Sequence, residues 1–279
     1  MTVTSAQAVL HTHFSELRLM CNSLAGQESK KLFALQNPLV ALRCRDEYCR
    51  AMCGRFTQHY TWQQIHAFLS VFGAPQNLRA RYNVAPTTLV DIVRHDAEGR
   101  REFVRGVRWG LIPNWWKKPL KDLPAKFNAR VETVADKPMF RGAYRSRRCV
   151  VPASGFYEWT GPKGDKQPHI FVDAQGHPIL ALAGLWERWR DPQIGEDVLS
   201  CTLIVTEPTK WMLPYHDRMP VLLQQAEIDR WLSGDMEANE LHPASESTLR
   251  EWPIDRRANR SGVGDDDPTL LEPIESGLL

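Results

Sequence analysis

Four short segments of this chain carry side chains that together could do covalent chemistry. They are residues 52–56, 127–132, 156–159 and 216–220, and they supply the thiol of Cys53, the amide of Asn128, the carboxylate of Glu158 and the imidazole of His216. If Cys53 is the first residue of the mature chain, its α-amine stands beside its thiol. A 1,2-aminothiol condenses with an aldehyde to give a thiazolidine ring, which an internal cysteine cannot form.

Cys53 has two interpretations. As an internal residue it would most often be a small buried hydrophobe, although Gly54 permits close backbone approach and the charge of Arg55 would lower the pKa of a nearby thiol. As an N-terminal residue it carries an α-amine with a pKa of about 7.7–8.0, which is substantially neutral and nucleophilic near pH 7.5. The spacing of the residues alone leaves both interpretations open.

The other three residues also have alternatives. Glu158 lies in a strand-like segment between two aromatic residues, so it either faces solvent or is partly desolvated, with a raised pKa that suits proton transfer. His216 falls in a loop, where a lone histidine is usually exposed and inert. Asn128 either forms a turn or donates its amide to a bound sugar or phosphate.

A tryptophan pair, Trp115-Trp116, is followed by Lys117-Lys118 in a loop bounded by prolines. Aromatic rings flanked by lysines are suited to stacking on the bases of single-stranded nucleic acid, which contributes roughly 1–3 kcal/mol per base. The alternative is a packed aromatic pair beside a solvated charge run. Arginines that could follow the phosphates are Arg55, Arg81, Arg130, Arg145, Arg147, Arg148 and Arg218.

Composition bounds the class of protein. The 279 residues are enough for one large or two small domains, and 43% apolar with 24% charged residues is ordinary for a globular protein. The formal net charge of +2 excludes a globally basic nucleic-acid coat. Any affinity for DNA must therefore come from locally placed arginines.

Cysteine usage and hydropathy predict a compartment. The six cysteines match no zinc-binding spacing, so we expect free thiols and neither metal nor cofactor. The first twenty residues lack the pattern of a signal peptide, and no apolar run approaches the ~18 residues of a membrane span. These features predict a reducing, cytosolic environment. The cysteines are Cys21, Cys44, Cys49, Cys53, Cys149 and Cys201.

Residues 1–51 differ from the rest of the chain. Their helical signal is weak, they contain three of the six cysteines, and tracts such as residues 43–50 suit no core element. The segment is interpreted as the product of an upstream start codon, with translation beginning at Met52, as a propeptide cleaved before Cys53, or as a genuine appended segment. In the last case the terminal-amine chemistry fails.

From Met52 onward the pattern predicts one domain, residues 52–279. Thr61 is expected to cap a helix whose apolar residues run to Phe72, with Gly73 and Pro75 closing it. Short strands follow, including a hairpin around residues 96–99 and a near-continuous apolar run at 199–206 that suits a buried central strand. Residues 225–232 are predicted to form a short helix and residues 261–268 a surface loop. The predicted fold is α+β, with a mainly antiparallel, barrel-like sheet and a few flanking helices. Other predicted strands are 148–151, 154–160, 169–173 and 179–186.

The four segments, with residues 82–86 and 270–274, resemble in order and spacing the SOS-response-associated peptidase (SRAP) family of abasic-site-processing proteins. The resemblance covers Met52 to about Pro273, four fifths of the chain. It implies a protein that caps abasic sites in single-stranded DNA as a covalent thiazolidine crosslink. This chain departs from the family at two places. Fifty-two residues precede Cys53, whereas the family's cysteine is at position 2. Residues 257–260 replace a more usual Val-Asn-type segment.

The resemblance also implies residue roles. Cys53 is similar to the crosslinking nucleophile, Asn128 to the residue that holds the abasic sugar, Glu158 to the residue that stabilises it, and His216 to the group that assists ring opening. The positions that match DNA contacts are Arg55, Asn83, Pro86, Trp115, Trp116, Arg130 and Arg218.

Two other functions stay open at this stage. The same cysteine could attack the preceding peptide bond as an autopeptidase that releases the N-terminal segment. Alternatively, the tryptophan and arginine residues could form a non-covalent reader of modified or single-stranded DNA. The chemistry needs only a monomer, which we expect in the cytoplasm and with the nucleoid when bound to DNA.

Overall fold

A computed structural model of the chain describes residues 54–124 and 126–274. The predictions for residues 1–51 and for Cys53 lie outside these residues. The described chain contains twelve strands, three α-helices and several 3-10 turns. The helices are α1 (Trp62–Leu69), α2 (Arg141–Ser146) and α3 (Ile228–Ser233). The strands are β1 (Phe56–Gln58), β2 (Arg81–Val84), β3 (Leu89–His95), β4 (Arg101–Trp109), β5 (Asn128–Arg130), β6 (Arg148–Ala153), β7 (Gly155–Thr160), β8 (Gln167–Asp173), β9 (Leu180–Arg190), β10 (Asp197–Thr206), β11 (Met219–Pro220) and β12 (Leu249–Pro253).

Five of the strands close into a barrel. Their order is β10-β4-β3-β6-β9, and β9 pairs again with β10, so the sheet has no free edge along this ring. All of these pairings are antiparallel except that of β10 with β4. Beyond the ring, β10 pairs β5 in parallel on one edge and β11 in antiparallel fashion on the other.

A second sheet, sheet A, packs beside the barrel. It is wholly antiparallel, with the order β12-β8-β7-β1-β2. Side chains alternate between the two faces of each strand. On one face, Phe56, Phe156 and Phe171 join a hydrophobic cluster with barrel residues. On the other, Tyr157 and Ile170 pack against the C-terminal part of the chain. We call these the inner and the outer face of sheet A.

Helix α1 begins as the sequence predicts. The Thr61 hydroxyl accepts from the Gln64 backbone N–H, and the Gln64 side chain accepts from the Thr61 N–H, which is a capping box. The end of the helix was predicted wrongly. The chain leaves the helix after Leu69, at Ser70 in a left-handed conformation, before Gly73 and Pro75 are reached. Phe72 is therefore outside the helix and 62% exposed, with the Arg100 guanidinium 4.2 Å from its ring centroid.

The α+β prediction with a barrel-like, mainly antiparallel sheet is confirmed, as is the single domain within the described residues. The run at 199–206 is a buried barrel strand, although β10 starts earlier, at Asp197. The predicted short helix divides into a 3-10 turn, Gln225–Glu227, and α3. The loop 261–268 is more closely packed than predicted, because Asp265 accepts hydrogen bonds from strand β2. Across the part of the chain that the structure describes, no helix is long and apolar enough to span a membrane.

Gly155 allows β7 and β8 to lie close together. A Cβ at this position would stand 2.8 Å from the Phe171 carbonyl oxygen and 3.0 Å from two side chains. Because the nearest atom is backbone, we expect Gly155→Ala to lower the free energy of unfolding by about 1–3 kcal/mol in urea titrations. Gly142→Ala is the control, since that Cβ would meet only a flexible arginine nitrogen at 3.4 Å and alanine favours the helix. Equal stability of the two variants would contradict this account of the β7–β8 contact.

Candidate functional site

Glu158 lies on the inner face of sheet A. It is directly opposite His169 in the β7–β8 ladder, two residues along the strand from Phe156, whose ring stacks on Phe171 with centroids 5.1 Å apart. The side chain of Glu158 is only 1% exposed. The interpretation that Glu158 faces solvent is therefore wrong, and its carboxyl group is desolvated.

The loop between β10 and β11 brings Tyr215, the residue before His216, to this same face. Met212 anchors the loop in the core, and its carbonyl accepts the backbone N–H of both Tyr215 and His216, at 3.0 and 3.1 Å. The Tyr215 ring makes edge-to-face contacts with His169 and Phe171, each at 5.0 Å between centroids. His216 follows directly and is 5% exposed, so the interpretation of an exposed, inert loop histidine is wrong.

The Nδ1 atom of His216 lies close to two possible partners. It is 2.9 Å from the Arg218 backbone nitrogen and 3.0 Å from Asp217 Oδ1. The backbone N–H always carries its proton, whereas Asp217 is largely exposed, so we assign Nδ1 as the acceptor from Arg218. In the neutral imidazole the proton is then on Nε2, and Nε2 is the nitrogen that can donate to a bound molecule.

Asn128 opens strand β5 and is buried, so it is a strand residue and not the turn residue of the alternative interpretation. Strand β5 runs beside β10, with Arg130 opposite Val205. On the other edge of β10, Val205 pairs with Pro220, so β5 and the end of the His216 loop flank the same strand. An ion pair between Arg218 and Glu132 connects them. The last residues of β10 thus have the strand of Asn128 on one edge and the strand that follows the His216 loop on the other.

The first described residue, Gly54, lies two residues before β1. The Tyr157 backbone N–H donates to the Arg55 carbonyl at 2.9 Å, and Phe56 is directly opposite Phe156. This antiparallel register, continued by two residues, puts Gly54 opposite Glu158. Gly54 is the chain neighbour of Cys53, and the peptide bond ties that residue to the end of β1.

Arg55 and Asn83 are held inside the protein. Arg55 is 8% exposed, on the outer face, and its guanidinium donates to the Asn83 side-chain oxygen at 2.5 Å, the Ala258 carbonyl at 2.9 Å and the Ser261 hydroxyl at 3.0 Å. Burial lowers the pKa of Arg55. The Asn83 amide donates to the carbonyls of Arg260 and Val263. Both residues matched DNA-contacting positions, yet in the structure their polar groups bind the segment 258–263, which we call the C-terminal clasp.

The remaining sequence-predicted DNA residues are more accessible. Trp115 is 50% exposed, while Trp116 is half-buried, and the two rings are tilted with centroids 6.3 Å apart. The Trp116 carbonyl accepts from the Trp189 indole at 2.7 Å, which fixes the backbone of the pair. Arg130 is exposed and Pro86 is half-buried. The packed-pair interpretation therefore applies to Trp116 and not to Trp115.

Sequence reasoning missed two parts of this region. It set His169 aside with the other histidines, because nothing in its local sequence indicates that it faces Glu158. It also treated residues 261–268 as surface loop, although Asp265 accepts from the Asn83 backbone N–H and from the Arg81 side chain, at 3.0 and 2.9 Å. The only sign of this contact in the sequence was the run of three aspartates at 265–267, which could pair with arginines elsewhere in the chain.

Within the described residues, no group of three or more histidine, cysteine or acidic side chains could hold a metal ion. The two cysteines among them, Cys149 and Cys201, are free and buried, and burial raises the pKa of both thiols. Neither is suited to act as a nucleophile at neutral pH.

A separate cavity of about 400 Å³ opens beside β2 and the β3–β4 hairpin. Asp91 is part of its wall, and burial raises the pKa of this carboxyl to about 6 even though two arginines oppose the shift. The other lining residues are Gln58, Arg79, Arg81, Leu89, Arg105 and Gly106.

The fold and the site together define a single-domain α+β protein in which a closed barrel lies beside sheet A, with Asn128 buried on β5, Glu158 buried on the inner face of sheet A and His216 buried in the loop after β10. A family model described as SOS response associated peptidase (SRAP) matches residues 52–261, three quarters of the chain. The protein belongs to the SRAP family, as its sequence motifs predicted.

Curated relatives carry one common description. The abasic site processing protein YoaM of Bacillus subtilis is 36% identical over 184 residues, which cover 65% of this chain and 79% of the relative. The abasic site processing protein YedK of Escherichia coli is 30% identical over 196 residues, covering 68% and 83%. A crystal structure of a Bacteroides thetaiotaomicron protein superposes with a TM-score of 0.69 at 23% identity, over 80% of this chain and all of that one.

Asp91 should make stability depend on pH. Its pKa is higher in the folded protein than in the unfolded chain, so its contribution is fully present below pH 4 and is lost as the pH rises through about 6. The loss is on the order of 2–3 kcal/mol. We expect the stability of Asp91→Asn relative to the parent protein to rise between pH 4 and pH 7 in urea titrations. A difference that stays constant over this range would contradict the shift.

Asn83 should be needed for the C-terminal clasp. Asn83→Ala leaves the Arg55 guanidinium and two carbonyls without their amide partner, so we expect a loss of about 2–4 kcal/mol of stability and faster proteolysis within residues 256–264. Asn77→Ala is the control, because Asn77 is exposed. If Asn83 acts chiefly on DNA, its variant will lose DNA affinity while stability and protease resistance remain those of the parent.

Proposed function

We propose that this protein senses abasic sites in DNA and caps them in single strands by a covalent thiazolidine crosslink through Cys53. The observation that carries the proposal is the inner face of sheet A. Buried Glu158 lies there, Tyr215 covers that face directly before buried His216, and the strand that follows Cys53 pairs with β7 two residues from Glu158. The names of the relatives, abasic site processing proteins, support the same substrate.

The first step is opening of the abasic sugar. Abasic deoxyribose is mainly a closed hemiacetal, and only its open form offers an aldehyde. His216 is suited to this step because its Nδ1 accepts the Arg218 N–H, so the neutral ring carries its proton on Nε2, from which it can pass to the ring oxygen of the sugar. Glu158, desolvated on the same face, accepts and returns protons.

The second step is ring formation. The α-amine of Cys53 attacks C1′, and loss of one water gives an iminium ion. The thiolate then adds to the same carbon and closes a five-membered ring, so one amine hydrogen and the thiol hydrogen leave with the aldehyde oxygen as that water. Closure is favoured because the second nucleophile is already tethered. The product forms once per protein, so the protein shields the strand and does not turn over.

The remaining residues bind the DNA. Asn128 holds the sugar from the end of β5, and exposed Trp115 stacks on unpaired bases, which gives the preference for single strands. Arg130 and Arg218, at the end of β10, contact phosphates, and Pro86 borders the same DNA. We assign Arg55 and Asn83 a positioning role, since they bind the C-terminal clasp. A monomer in the cytoplasm, associated with the nucleoid when bound to DNA, suffices for this chemistry.

A second activity is favoured by the family's own description as a peptidase. In this alternative the Cys53 thiol attacks the peptide bond before it, with Glu158 or His216 as the base, and releases the preceding segment. Expression of the full chain in a cell-free system without aminopeptidases tests this alternative. Protein that begins at Cys53 supports autoproteolysis, whereas a retained segment contradicts it.

The test of the crosslink is intact mass before and after incubation with an abasic single-stranded oligonucleotide. We expect a species beginning at Cys53 that gains the mass of the oligonucleotide less one water. Cys53→Ala should give no crosslink while retaining salt-dependent DNA binding, and Glu158→Gln should slow the reaction by about 10²–10⁴-fold. Glu196→Gln, an exposed carboxylate, is the control.

Undiminished crosslinking by Cys53→Ala would refute the assignment of the nucleophile. Complexes of the parent protein that dissociate fully in denaturant would instead favour the non-covalent reader.

A further inference from the structure

A polar network on the inner face of sheet A joins the His216 loop to the strands around Glu158. Glu251, on β12, accepts the Tyr215 hydroxyl at 2.8 Å with one carboxylate oxygen, and His169 Nδ1 lies 2.8 Å from the other. His169 Nε2 lies 3.0 Å from the Thr160 hydroxyl. The network therefore spans β12, β8 and β7 and ends on the loop residue that precedes His216.

The alternation of side chains explains why these groups meet. Glu158 and Thr160 are two residues apart on β7, so both are on the face of β7 that includes Phe156. His169 is directly opposite Glu158, and Glu251 is opposite Phe171, two residues along β8. All of these side chains lie on the inner face, the one that Tyr215 covers. This part of the inner face is therefore polar, whereas the hydrophobic core begins next to it, at Phe156 and Phe171.

We propose that Tyr215, Glu251 and His169 are positioning residues that fix the loop at His216, and thereby the place of its imidazole relative to Glu158. This inference rests on the proposed function, in which His216 moves a proton at the sugar. A loop of twelve residues joins β10 to β11, and backbone hydrogen bonds within it run mainly between residues 209 and 216. The Tyr215–Glu251 bond ties the end of that loop to sheet A.

The Tyr215 hydroxyl is a dependable donor in this network. Burial and the adjacent Glu251 carboxylate raise the pKa of Tyr215 to about 12, so its hydroxyl keeps its proton at neutral pH. Its ring is fixed at the same time by His169 and Phe171. A second bond, from the Trp211 backbone N–H to the Glu246 carboxylate at 3.0 Å, attaches the start of the loop to the segment before β12.

Two variants remove the hydrogen bond between Tyr215 and Glu251 in different ways. Tyr215→Phe keeps the ring contacts and loses only the hydroxyl, while Glu251→Ala removes the carboxylate that bridges Tyr215 and His169. We expect each to slow crosslinking of the protein that begins at Cys53 to an abasic single-stranded oligonucleotide by about 10-fold, because displacement of a reacting group by a fraction of an ångström is costly. Non-covalent affinity for the same DNA, measured in the Cys53→Ala background, should stay within 2-fold.

A conservative variant separates positioning from charge. In Glu251→Gln the amide oxygen can still accept from Tyr215, and the amide nitrogen can donate to His169 Nδ1 when the proton moves to Nε2 and is donated to Thr160. We therefore expect this variant to crosslink within about 2-fold of the parent. Tyr157→Phe is the matched control. It also loses a tyrosine hydroxyl bond, to the Tyr82 carbonyl at 2.5 Å, but on the outer face.

The ring resonances of His216 give a readout that does not depend on crosslinking. Assigned against His216→Gln in NMR spectra, they should shift in Tyr215→Phe and Glu251→Ala and remain unchanged in Tyr157→Phe. Parent-like resonances and rates in both site variants would overturn the inference. If the parent protein itself forms no crosslink, the proposed function fails, and the resonances alone decide whether these residues position His216.

Discussion

The burial of strand β7 on both faces is the constraint on which the rest of the site depends. Tyr157 and Glu158 are adjacent in the chain, point in opposite directions and are both inaccessible to water. A buried polar group is tolerated only when its surroundings satisfy it, so each face of this strand needs its own set of polar partners. On the inner face these surroundings include His169 and the His216 loop. On the outer face the Tyr157 hydroxyl donates to the Tyr82 carbonyl, and the C-terminal clasp binds the neighbouring polar groups of Arg55 and Asn83.

This division explains why neighbouring residues of one motif have different roles. Arg55 follows Cys53 by two positions and was expected to contact DNA or influence the thiol. The alternation of β1 instead turns its guanidinium to the outer face, where the carbonyl of Ala258 and the hydroxyl of Ser261 bind it. The clasp overlaps residues 257–260, the segment in which this chain departs from the usual family pattern. Its carbonyl groups bind side chains from β1 and β2, so changes in the side chains of the clasp are compatible with the same contacts.

Local signals in the sequence predicted much of the fold. Thr61 begins helix α1 because its capping box is encoded within four residues, and the apolar run of β10 predicted a buried central strand. The end of α1 escaped prediction because Ser70 adopts a left-handed conformation that its residue type does not announce. The parallel pairing of β10 with β4 and β5 involves residues far apart in the chain, and no local pattern encodes it. The same limit applies to the site. Motifs identified Glu158 and His216, whereas the roles of His169, Tyr215 and Glu251 depend on strand register.

The outer-face contacts also have a consequence for protein synthesis. Arg55 bonds to residues 203 and 206 positions further along the chain, so the segment next to Cys53 cannot acquire its final partners until the ribosome has synthesised residue 261. Such distant contacts form late, because chain closure must precede them. A nascent chain therefore has its cysteine long before it has an ordered site around it. If Cys53 acts as proposed, its ordered site is available only after residues 258–261 have been synthesised and have bound Arg55.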